Sequence, residues 1–550
     1  MLLQEVEESD IQMLPEETSW PEELIELDRS QWTLGRLLEE KARRNRGKTF
    51  LLFENERVTF DQFNEMANRV ANGLMDHGVK KGDKVAIMLP NCSEYLYLWF
   101  GIAKMGGVMV PLNVAWKGEL LEYILNHSDT ETIVVTGSLF PQIQVLLKKI
   151  PRIRQIFISE KDVRKSKKTL PLDEIFHPST VEPNIPISPE DPFEIMYTSG
   201  TTGRSKGVVR WSEYVILRGL RTVRYMGYTA EDTLYTCLPL FHGNAQNLTT
   251  MPALLANARL ALGKRFSASN FWSDVRRYEA TVFNFVGTMI SILFKQEAKP
   301  DDAENPVRLA RGGNISPGIW KDFEKRFNLI LIETYGTTEG GSIWNMPGGK
   351  IGSIGKPPYF NEARIVDEED RELPPGKVGE LIIRPCDSEE KWVEYYKDPE
   401  ATKEKMKDGW FRTGDLAFKD EEGWFFFADR KKDAIRRRGE NISALEVEVV
   451  INSHPKVMEC ACFGVPSEIG EEDVMVCVVP KKGMQITPRE IISFCEQHMA
   501  YFMIPRYVEL IENLPKTPTE RVEKYKLKAT RPNENTWDRE KGGLFTPSKS

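Results

Sequence analysis

Few cysteines occur in the chain, and none is spaced to bind a metal ion. Its 550 residues include seven cysteines, an odd number without C-x-x-C spacing. Neither a disulfide framework nor structural zinc is therefore expected, and a reducing compartment fits. Cys460 and Cys462 alternate along an apparent strand, which predicts buried thiols.

The sequence also lacks a secretory signal and an uninterrupted apolar run. Its first residues, MLLQEVEESDIQMLPEE, have neither the basic start nor the apolar core of a signal peptide. Tyr95–Trp116 is long enough to span a bilayer, but Lys104 and the pair Gly106 and Gly107 interrupt it, whereas Thr281–Phe294 is too short. Both segments are predicted to be buried helix–strand units. We expect a cytoplasmic protein without a membrane span.

An excess of positive charge is missing as well. The formal net charge is −8, which argues against a general affinity for nucleic acid. Hydrophobic residues make up 41% and charged residues 28%, as in ordinary globular proteins. No internal repeat is visible. The sequence does not reveal the oligomeric state, and a homodimer is the working assumption.

Alternating helix and strand patterns predict an α/β fold with largely parallel sheets. A chain of this length exceeds what one core supports. We predict a large N-terminal domain of α/β sandwich layers, residues 1–431, which includes a β-rich subdomain after Ile351. A small α+β domain follows at residues 432–530. Residues 531–550 are rich in glycine, proline, serine and lysine and are predicted to be disordered.

The most informative stretch is Tyr197–Val208, YTSGTTGRSKGV. Glycines let a ligand approach the main chain, and exposed N–H groups beside hydroxyls form a concavity suited to phosphates. Lys206 adds a mobile positive charge. The spacing G-x-x-x-x-G-K-[ST] of the common nucleotide loop is absent. Taken alone, the stretch could equally be a polar surface loop.

Three further signatures follow it: ETYGTTEGG, then GWFRTGDL with GWFFFADRKKDAIRRRGENIS, then PKTPTERVEK. In this order the four resemble the adenylate-forming superfamily of acyl-CoA synthetases, peptide-synthetase adenylation domains and luciferases. The match runs from about Thr33 to about Lys528. Within the superfamily the motifs look closest to the crotonobetaine/carnitine-CoA ligase-like group.

The resemblance implies a two-step reaction. A carboxylate attacks the α-phosphate of ATP–Mg²⁺, giving an acyl-adenylate and pyrophosphate, and coenzyme A thiolate then displaces AMP. It also implies that the C-terminal domain is mobile and rotates between the steps, with Lys432 as the hinge. Stand-alone adenylation of a carrier protein or amine is an alternative, and a catalytically weakened nucleotide-binding homologue is another.

Residue by residue, the resemblance implies a nucleotide site. Tyr335 would pack on adenine, Thr338 would bind the α-phosphate, and Glu339 would ligate Mg²⁺, a hard cation that takes carboxylate oxygen. Asp415 would accept the ribose hydroxyls, with Arg430 beside it. The remaining nucleotide residues are Thr198, Ser199, Gly200, Thr201, Thr202, Gly203 and Lys206 at the phosphates, Gly312 and Gly313 at the adenine and acyl pocket, and Gly336 and Thr337. The segment Leu309–Asn314, LARGGN, is predicted to be a glycine turn after a short strand.

The candidate residues for binding the acid and coenzyme A belong to less specific motifs than those of the nucleotide site. His242 would gate the acyl tunnel, with a general-base role as a weaker reading. An aromatic such as Trp344 could meet a quaternary ammonium. A short or polar acid fits this mixed surface. The acyl pocket would comprise Asn244, Phe285, Thr288 and Trp344, and the coenzyme A site Arg436, Arg437 and Gly439.

One position departs from the family. Its C-terminal catalytic lysine usually follows glycine in PKTxTGKVxK, whereas Glu520 and Arg521 occupy those positions here and Lys524 matches the second lysine. An arginine could still stabilise charge at the α-phosphate, but its planar fork is larger than an ammonium. The sequence leaves open whether Arg521 or Lys524 acts.

Overall fold

A computed structural model gives the arrangement of the chain. It describes residues 25–159, 166, 168–198, 204–294, 296–315, 317–387, 392–430, 434–515, 522 and 524–544. The α/β prediction is confirmed, since helices pack around two large sheets that belong to the N-terminal part.

The first sheet has seven strands and is parallel except for its last pair, which is antiparallel. That last pair carries the start and the end of the glycine-rich stretch, so Thr198 lies opposite Lys206. In spatial order the strands are Thr169–Pro171, Gln155–Ser159, Thr130–Thr136, Lys84–Met88, Val108–Pro111, Pro192–Thr198 and Lys206–Trp211.

The second sheet has eight strands, parallel in the middle and antiparallel at both edges. Parallel strands present their carboxyl ends at one edge, where ligands gather in open α/β sheets. The order is Ser342–Asn345, Ile330–Gly336, Leu309–Gly313, Val282–Val286, Thr233–Thr236, Arg259–Leu262, Thr49–Phe53 and Glu56–Thr59.

Helices cover these sheets with apolar faces. The helix at Phe60 begins with a capping box between Thr59 and Gln62 and is followed by Gly78 at φ 80°, so both ends follow local sequence rules. The described α-helices are Leu34–Arg44, Phe60–Asp76, Ser93–Lys104, Gly118–His127, Phe140–Gln144, Ser212–Met226, Gly243–Ala245, Met251–Leu255, Phe271–Arg277, Gly287–Phe294, Trp320–Phe327, Pro399–Lys405, Ala444–Asn452, Pro488–His498 and Lys524–Lys528.

Both segments that resembled membrane spans are buried helix–strand units, as predicted. Ser93–Lys104 is a buried helix before the strand Val108–Pro111, and Val282–Val286 is a strand before the helix Gly287–Phe294. Within the described ranges, every helix is too short or too polar to cross a bilayer.

The β-rich subdomain after Ile351 is confirmed as a separate antiparallel sheet. Its longest strand carries the GWFRTGDL motif and places Asp415 opposite Arg430 on the neighbouring strand. The strands are Asn361–Val366, Gly379–Pro385, Met406–Lys407, Trp410–Lys419 and Phe425–Arg430.

The C-terminal unit is α+β, with the thiols of Cys460 and Cys462 buried in a strand as predicted. The predicted boundary at residue 432 lies outside the described residues. Its strands are Ala434–Arg437 paired with Glu440–Ser443, and a sheet of Val457–Pro466, Glu472–Pro480, Tyr507–Leu510, Trp537–Asp538 and Gly543–Leu544.

The tail corrects one prediction. Within residues 531–544 the chain is ordered, because Trp537–Asp538 pairs with the strand Tyr507–Leu510 and Asp538 is fully buried. Its carboxylate lies 3.3 Å from the guanidinium of Arg506. Composition suggested disorder, but a buried ion pair and a strand contact hold this segment; residues 545–550 lie outside the described residues.

Candidate active site

A cavity of about 880 Å³ lies where the two large sheets, the β-rich subdomain and the C-terminal unit meet. Its wall includes residues from the glycine-rich stretch, from ETYGTTEGG and from GWFRTGDL. The predicted residues that line it are Thr198, Lys206, His242, Asn244, Gly312, Gly313, Tyr335, Gly336, Thr337, Thr338, Glu339, Trp344, Asp415, Arg436 and Gly439.

The glycine-rich stretch forms a hairpin at one side of the cavity. Thr198 and Lys206 are cross-strand neighbours, and Lys206 Nζ lies 5.1 Å from the centre of the Tyr395 ring. An aromatic face beside an ammonium is favourable and holds this lysine at the cavity. Ser199, Gly200, Thr201, Thr202 and Gly203, which join the two strands, lie outside the described residues.

The YGTTE segment continues directly from the strand Ile330–Gly336. Thr337 Oγ1 donates to the carbonyl of Gly340 at 2.7 Å, which closes a tight turn. Tyr395 Oη donates to Glu339 Oε1 at 2.8 Å. Glu339 lines the cavity, and a single carboxylate with substrate phosphates is the usual donor set for Mg²⁺. The residues therefore fit that ion.

Asp415 contacts the same segment from the strand Trp410–Lys419. Its Oδ2 accepts a hydrogen bond from Tyr335 Oη at 2.6 Å, and the residue is 6% exposed. Lys405 is close by, since its Nζ would lie 3.1 Å from a Cβ at Gly414. Burial lowers the pKa of Lys405, although Glu339 raises it. For Arg430, the structure describes only the backbone pairing with Asp415.

Gly312 and Gly313 lie inside a strand rather than in the turn that the sequence suggested. The strand Leu309–Gly313 is hydrogen-bonded on both sides, and a Cβ at Gly312 would lie 2.2 Å from the carbonyl oxygen of Phe285. At Gly313 a Cβ would lie 2.8 Å from the carbonyl oxygen of Thr334. Glycine is needed here because neighbouring backbones come too close for any side chain.

Only some of the predicted acyl-pocket residues line the cavity. Asn244 and Trp344 line the cavity. Phe285 is fully buried, and only its carbonyl reaches this region, where it accepts from Asn244 Nδ2 at 3.2 Å. Thr288 belongs to the helix Gly287–Phe294, and its side chain lies outside the described part.

His242 forms a bridge to the C-terminal unit. Its Nε2 lies 3.0 Å from Glu440 Oε2, and both residues line the cavity. Burial raises the pKa of Glu440, but His242 and other partners outweigh it, so the pKa lies below its ordinary value. This pair closes one side of the cavity.

A second bridge connects the glycine-rich hairpin to the same unit. Ser205 Oγ donates to Glu446 Oε1 at 2.7 Å, and Ser205 is 1% exposed. Burial raises the pKa of Glu446 to about 7, against the hydrogen bonds from Ser205. Neither Glu440 nor Glu446 was singled out in the sequence, because the contacts are long-range.

The residues of the basic run after the predicted hinge have different surroundings: some line the cavity, and one is buried in the C-terminal unit. Arg436 and Gly439 line the cavity, and Arg436 Nε lies 3.5 Å from Glu471 Oε1. Arg437 instead enters the C-terminal core, where it pairs with Asp473 at 3.1 Å and donates to the carbonyls of Phe502 and Ile504. In this arrangement Arg437 is a packing residue, which departs from the coenzyme A contact expected of it.

Of the two candidates for the catalytic lysine of the family, the structure describes only Lys524. Lys524 Nζ lies 2.8 Å from Glu448 Oε1 on the helix Ala444–Asn452. Arg521 and the predicted hinge Lys432 lie outside the described residues.

Glu333, the first residue of ETYGTTEGG, has no role that the sequence resemblance implies. Its carboxylate accepts from the backbone N–H groups of Asn314 at 2.7 Å and Ile315 at 2.9 Å. Burial raises the pKa of Glu333 to about 7, while these two hydrogen bonds lower it. It fixes the loop that follows Gly313. Its place inside a signature motif was the available signal.

Comparison with known proteins identifies the family to which these site residues belong. The model of the AMP-binding enzyme family matches residues 38–387. The chain belongs to the AMP-binding enzyme family. The model of the AMP-binding enzyme C-terminal domain matches residues 446–521.

Relatives and solved structures cover nearly the whole chain. Crotonobetaine/carnitine–CoA ligase of Citrobacter koseri is 35% identical over 495 residues, with 88% of this chain and 96% of the relative covered. The anthranilate CoA ligase in complex with anthranoyl-AMP is 26% identical with a TM-score of 0.70, covering 92% and 98%. A double mutant of o-succinylbenzoate CoA synthetase from Bacillus subtilis is 24% identical with a TM-score of 0.80, covering 92% and 99%, which shows a shared fold.

These findings confirm the predicted superfamily and its acyl-CoA synthetase branch. The chain is an ATP-dependent, AMP-forming acyl-CoA ligase that uses ATP, Mg²⁺ and coenzyme A.

Proposed function

We propose that this ligase activates a short carboxylic acid in the cavity between its domains and transfers the acyl group to coenzyme A. One observation carries the proposal: Lys206, Glu339 and Asp415 line one side of a single cavity whose other side is Gly439 and Glu440 of the C-terminal unit. A shared cavity lets one bound acyl group meet two different partners in turn.

In the first step a carboxylate oxygen attacks the α-phosphorus of ATP, and the bond to pyrophosphate breaks. Lys206 and the adjoining hairpin would hold the outer phosphates, and the Thr337–Thr338 turn the α-phosphate. Glu339 would hold Mg²⁺, which offsets phosphate charge when bound. Asp415, kept in place by Tyr335 Oη, would accept the ribose hydroxyls.

In the second step the thiolate sulfur attacks the acyl carbon, and the bond to AMP breaks. The arrangement with His242 against Glu440 encloses the cavity on the side of the C-terminal unit. Arg436 and Gly439 would face the coenzyme A. Rotation of this unit about Lys432 would exchange it for the segment around Arg521.

The acid is proposed from the cavity and from the relatives. Relatives at 34% and 35% identity are named crotonobetaine/carnitine–CoA ligases, so small acids of that size are the first substrates to test. The mixed lining of Asn244 and Trp344 supports a compact acid rather than a long acyl chain. A homodimer and a cytoplasmic location stay predictions.

A pyrophosphate-release assay over a panel of short acids, with and without coenzyme A, tests this proposal. We expect a thioester and sustained pyrophosphate release that both depend on ATP, Mg²⁺, acid and coenzyme A, with only a single turnover of pyrophosphate when coenzyme A is left out. Pyrophosphate without any thioester would favour transfer to a carrier protein or amine instead.

Replacing Arg521 by lysine tests which cation serves adenylation. If Arg521 acts at the α-phosphate, we expect Arg521→Lys to keep adenylation within about tenfold and Arg521→Met to lose roughly 10²-fold. Thioester formation from a supplied acyl-adenylate should be unchanged in both. A similar loss in Lys524→Met, with Arg521→Met fully active, would assign the role to Lys524.

A further inference from the structure

Two arginines line the cavity beside the strand Ser342–Asn345, which carries the predicted acyl-pocket residue Trp344; this part of the cavity is called its acyl end. Arg218 lies on the helix Ser212–Met226, and Arg311 lies in the strand Leu309–Gly313, immediately before Gly312. Both line the cavity, and Arg311 is 2% exposed. Neither was singled out in the sequence.

Both guanidinium groups contact only neutral partners. Arg218 donates to Tyr214 Oη at 2.6 Å and to Ser342 Oγ at 3.0 Å. Arg311 donates to Thr222 Oγ1 at 3.1 Å, and its guanidinium lies 4.6 Å from the centre of the Trp344 ring. Among the residues that the structure describes, no carboxylate forms an ion pair with either arginine.

Three other buried arginines of this chain are neutralised. Arg210 lies 2.6 Å from Glu194, Arg437 lies 3.1 Å from Asp473, and Arg506 lies 2.8 Å from Asp473. A buried charge is costly unless it is paired. Two adjacent cations without an anion therefore indicate that something outside the described chain completes the pair.

Unused hydrogen-bond donors point the same way. Arg311 Nε and Trp344 Nε1 are buried and have no hydrogen-bond partner in the described structure. Arg210 also leaves its Nε unpaired, but its charge is matched by Glu194. At Arg311, burial lowers the pKa to about 10 and Arg218 adds to the shift. Buried donors without partners are rare and call for an explanation.

The arginines are also close to the reacting centre. Arg218 Nη2 would lie 3.8 Å from a Cβ at Gly336, the residue before the Thr337–Thr338 turn. An acid whose carboxylate reaches that turn needs only a short backbone to bring a second group to the arginines.

Resting on the proposed function, we propose that Arg218 and Arg311 bind an anionic group at the far end of the acyl substrate. The preferred acid is then a short dicarboxylate or a similar dianion. An acid that carries a quaternary ammonium is disfavoured, because two guanidinium groups repel it and because the Trp344 face already holds Arg311. Paired N–H donors of arginine suit a carboxylate.

The test compares three acids of similar length with the full chain: succinate, butyrate and γ-butyrobetaine. We expect kcat/KM for succinate to exceed that for butyrate on the order of 10- to 100-fold, with γ-butyrobetaine poorest. In Arg311→Met and Arg218→Met the succinate advantage should disappear while butyrate changes little. Arg311→Lys should keep part of it.

Arg364 offers a matched control. Its guanidinium also lies 4.6 Å from a tryptophan ring, that of Trp410, but outside the cavity. Arg364→Met should leave the order of the acids unchanged. Thermal unfolding of every variant separates lost binding from lost folding.

The outcomes separate the two proposals. A preference of the wild type for butyrate or γ-butyrobetaine overturns the arginine assignment, as does an equal loss for all acids in Arg311→Met. Titration calorimetry with a non-hydrolysable ATP analogue reports acid binding without turnover. Succinate binding that requires Arg311, with no thioester from any of the three acids, supports the anion site and overturns the proposed transfer to coenzyme A. A thioester formed only from γ-butyrobetaine does the reverse.

Discussion

Glu339 is held in position at the wall of the cavity. Tyr395 Oη holds one carboxylate oxygen at 2.8 Å, so the group is oriented before any ligand binds. Such preorganisation costs nothing at the moment of reaction. The arginines at the acyl end differ, since they hold charge that only a ligand can balance.

Glu339→Gln should therefore lower kcat/KM for ATP by roughly 10²-fold or more, because an amide oxygen is a poorer ligand for Mg²⁺. Steady-state pyrophosphate release against Mg²⁺ concentration measures it. Tyr395→Phe keeps the carboxylate and should cost only about 2- to 10-fold. Full activity of Glu339→Gln at ordinary Mg²⁺ would remove Glu339 from the metal site.

At the scale of elements, the helix Ala444–Asn452 carries a pH-sensitive contact. Glu446 on this helix accepts from Ser205 at 2.7 Å and has a pKa raised by burial to about 7. Tyr123, whose pKa burial also raises, interacts electrostatically with Glu446 from the N-terminal side. The neutral carboxyl suits the buried contact and the carboxylate does not.

The sign follows from the raised pKa. The stabilisation is fully present below the ordinary pKa of 4.5 and is lost as pH rises through about 7. After correction for the intrinsic pH dependence of amide exchange, we expect the protection of residues 444–452 to fall between about pH 5 and pH 7.5, by up to about tenfold per pH unit. Glu446→Gln should abolish this dependence, with Ser205→Ala as the matched control. An unchanged profile in Glu446→Gln would locate the effect elsewhere.

Features that depend on residues close together in sequence could be predicted, whereas features that depend on residues far apart in sequence could not. Helix ends such as that at Thr59 obey local capping rules, and the order of the four signatures identified the nucleotide site. Gly312 and Gly313 were predicted in a turn because glycine is ambiguous between a turn and a crowded strand. The bridge from His242 to Glu440 joins residues 198 apart in sequence, which no local pattern indicates.

At the scale of the whole molecule, the C-terminal sheet depends on the last described segment. Asp538 and Asp473 together neutralise Arg506. Asp538→Asn leaves Arg506 with less countercharge, and we expect a loss of about 3 kcal/mol in the free energy of unfolding. Thermal or denaturant unfolding followed by tryptophan fluorescence measures it. Asp408→Asn, at an exposed turn with φ 50°, should be near neutral, and equal stability of both variants would contradict this role.

The crowded strand at Gly312 has a consequence for how this enzyme's lineage can acquire new substrates. No side chain fits at Gly312, where the nearest backbone oxygen would lie 2.2 Å away, so mutation cannot reshape the acyl pocket from that wall. Changes in substrate specificity must instead come from substitutions at other residues that line the cavity, such as Arg218, Asn244 and Trp344. Related enzymes that use different acids should therefore differ at these positions and keep a glycine at the position of Gly312.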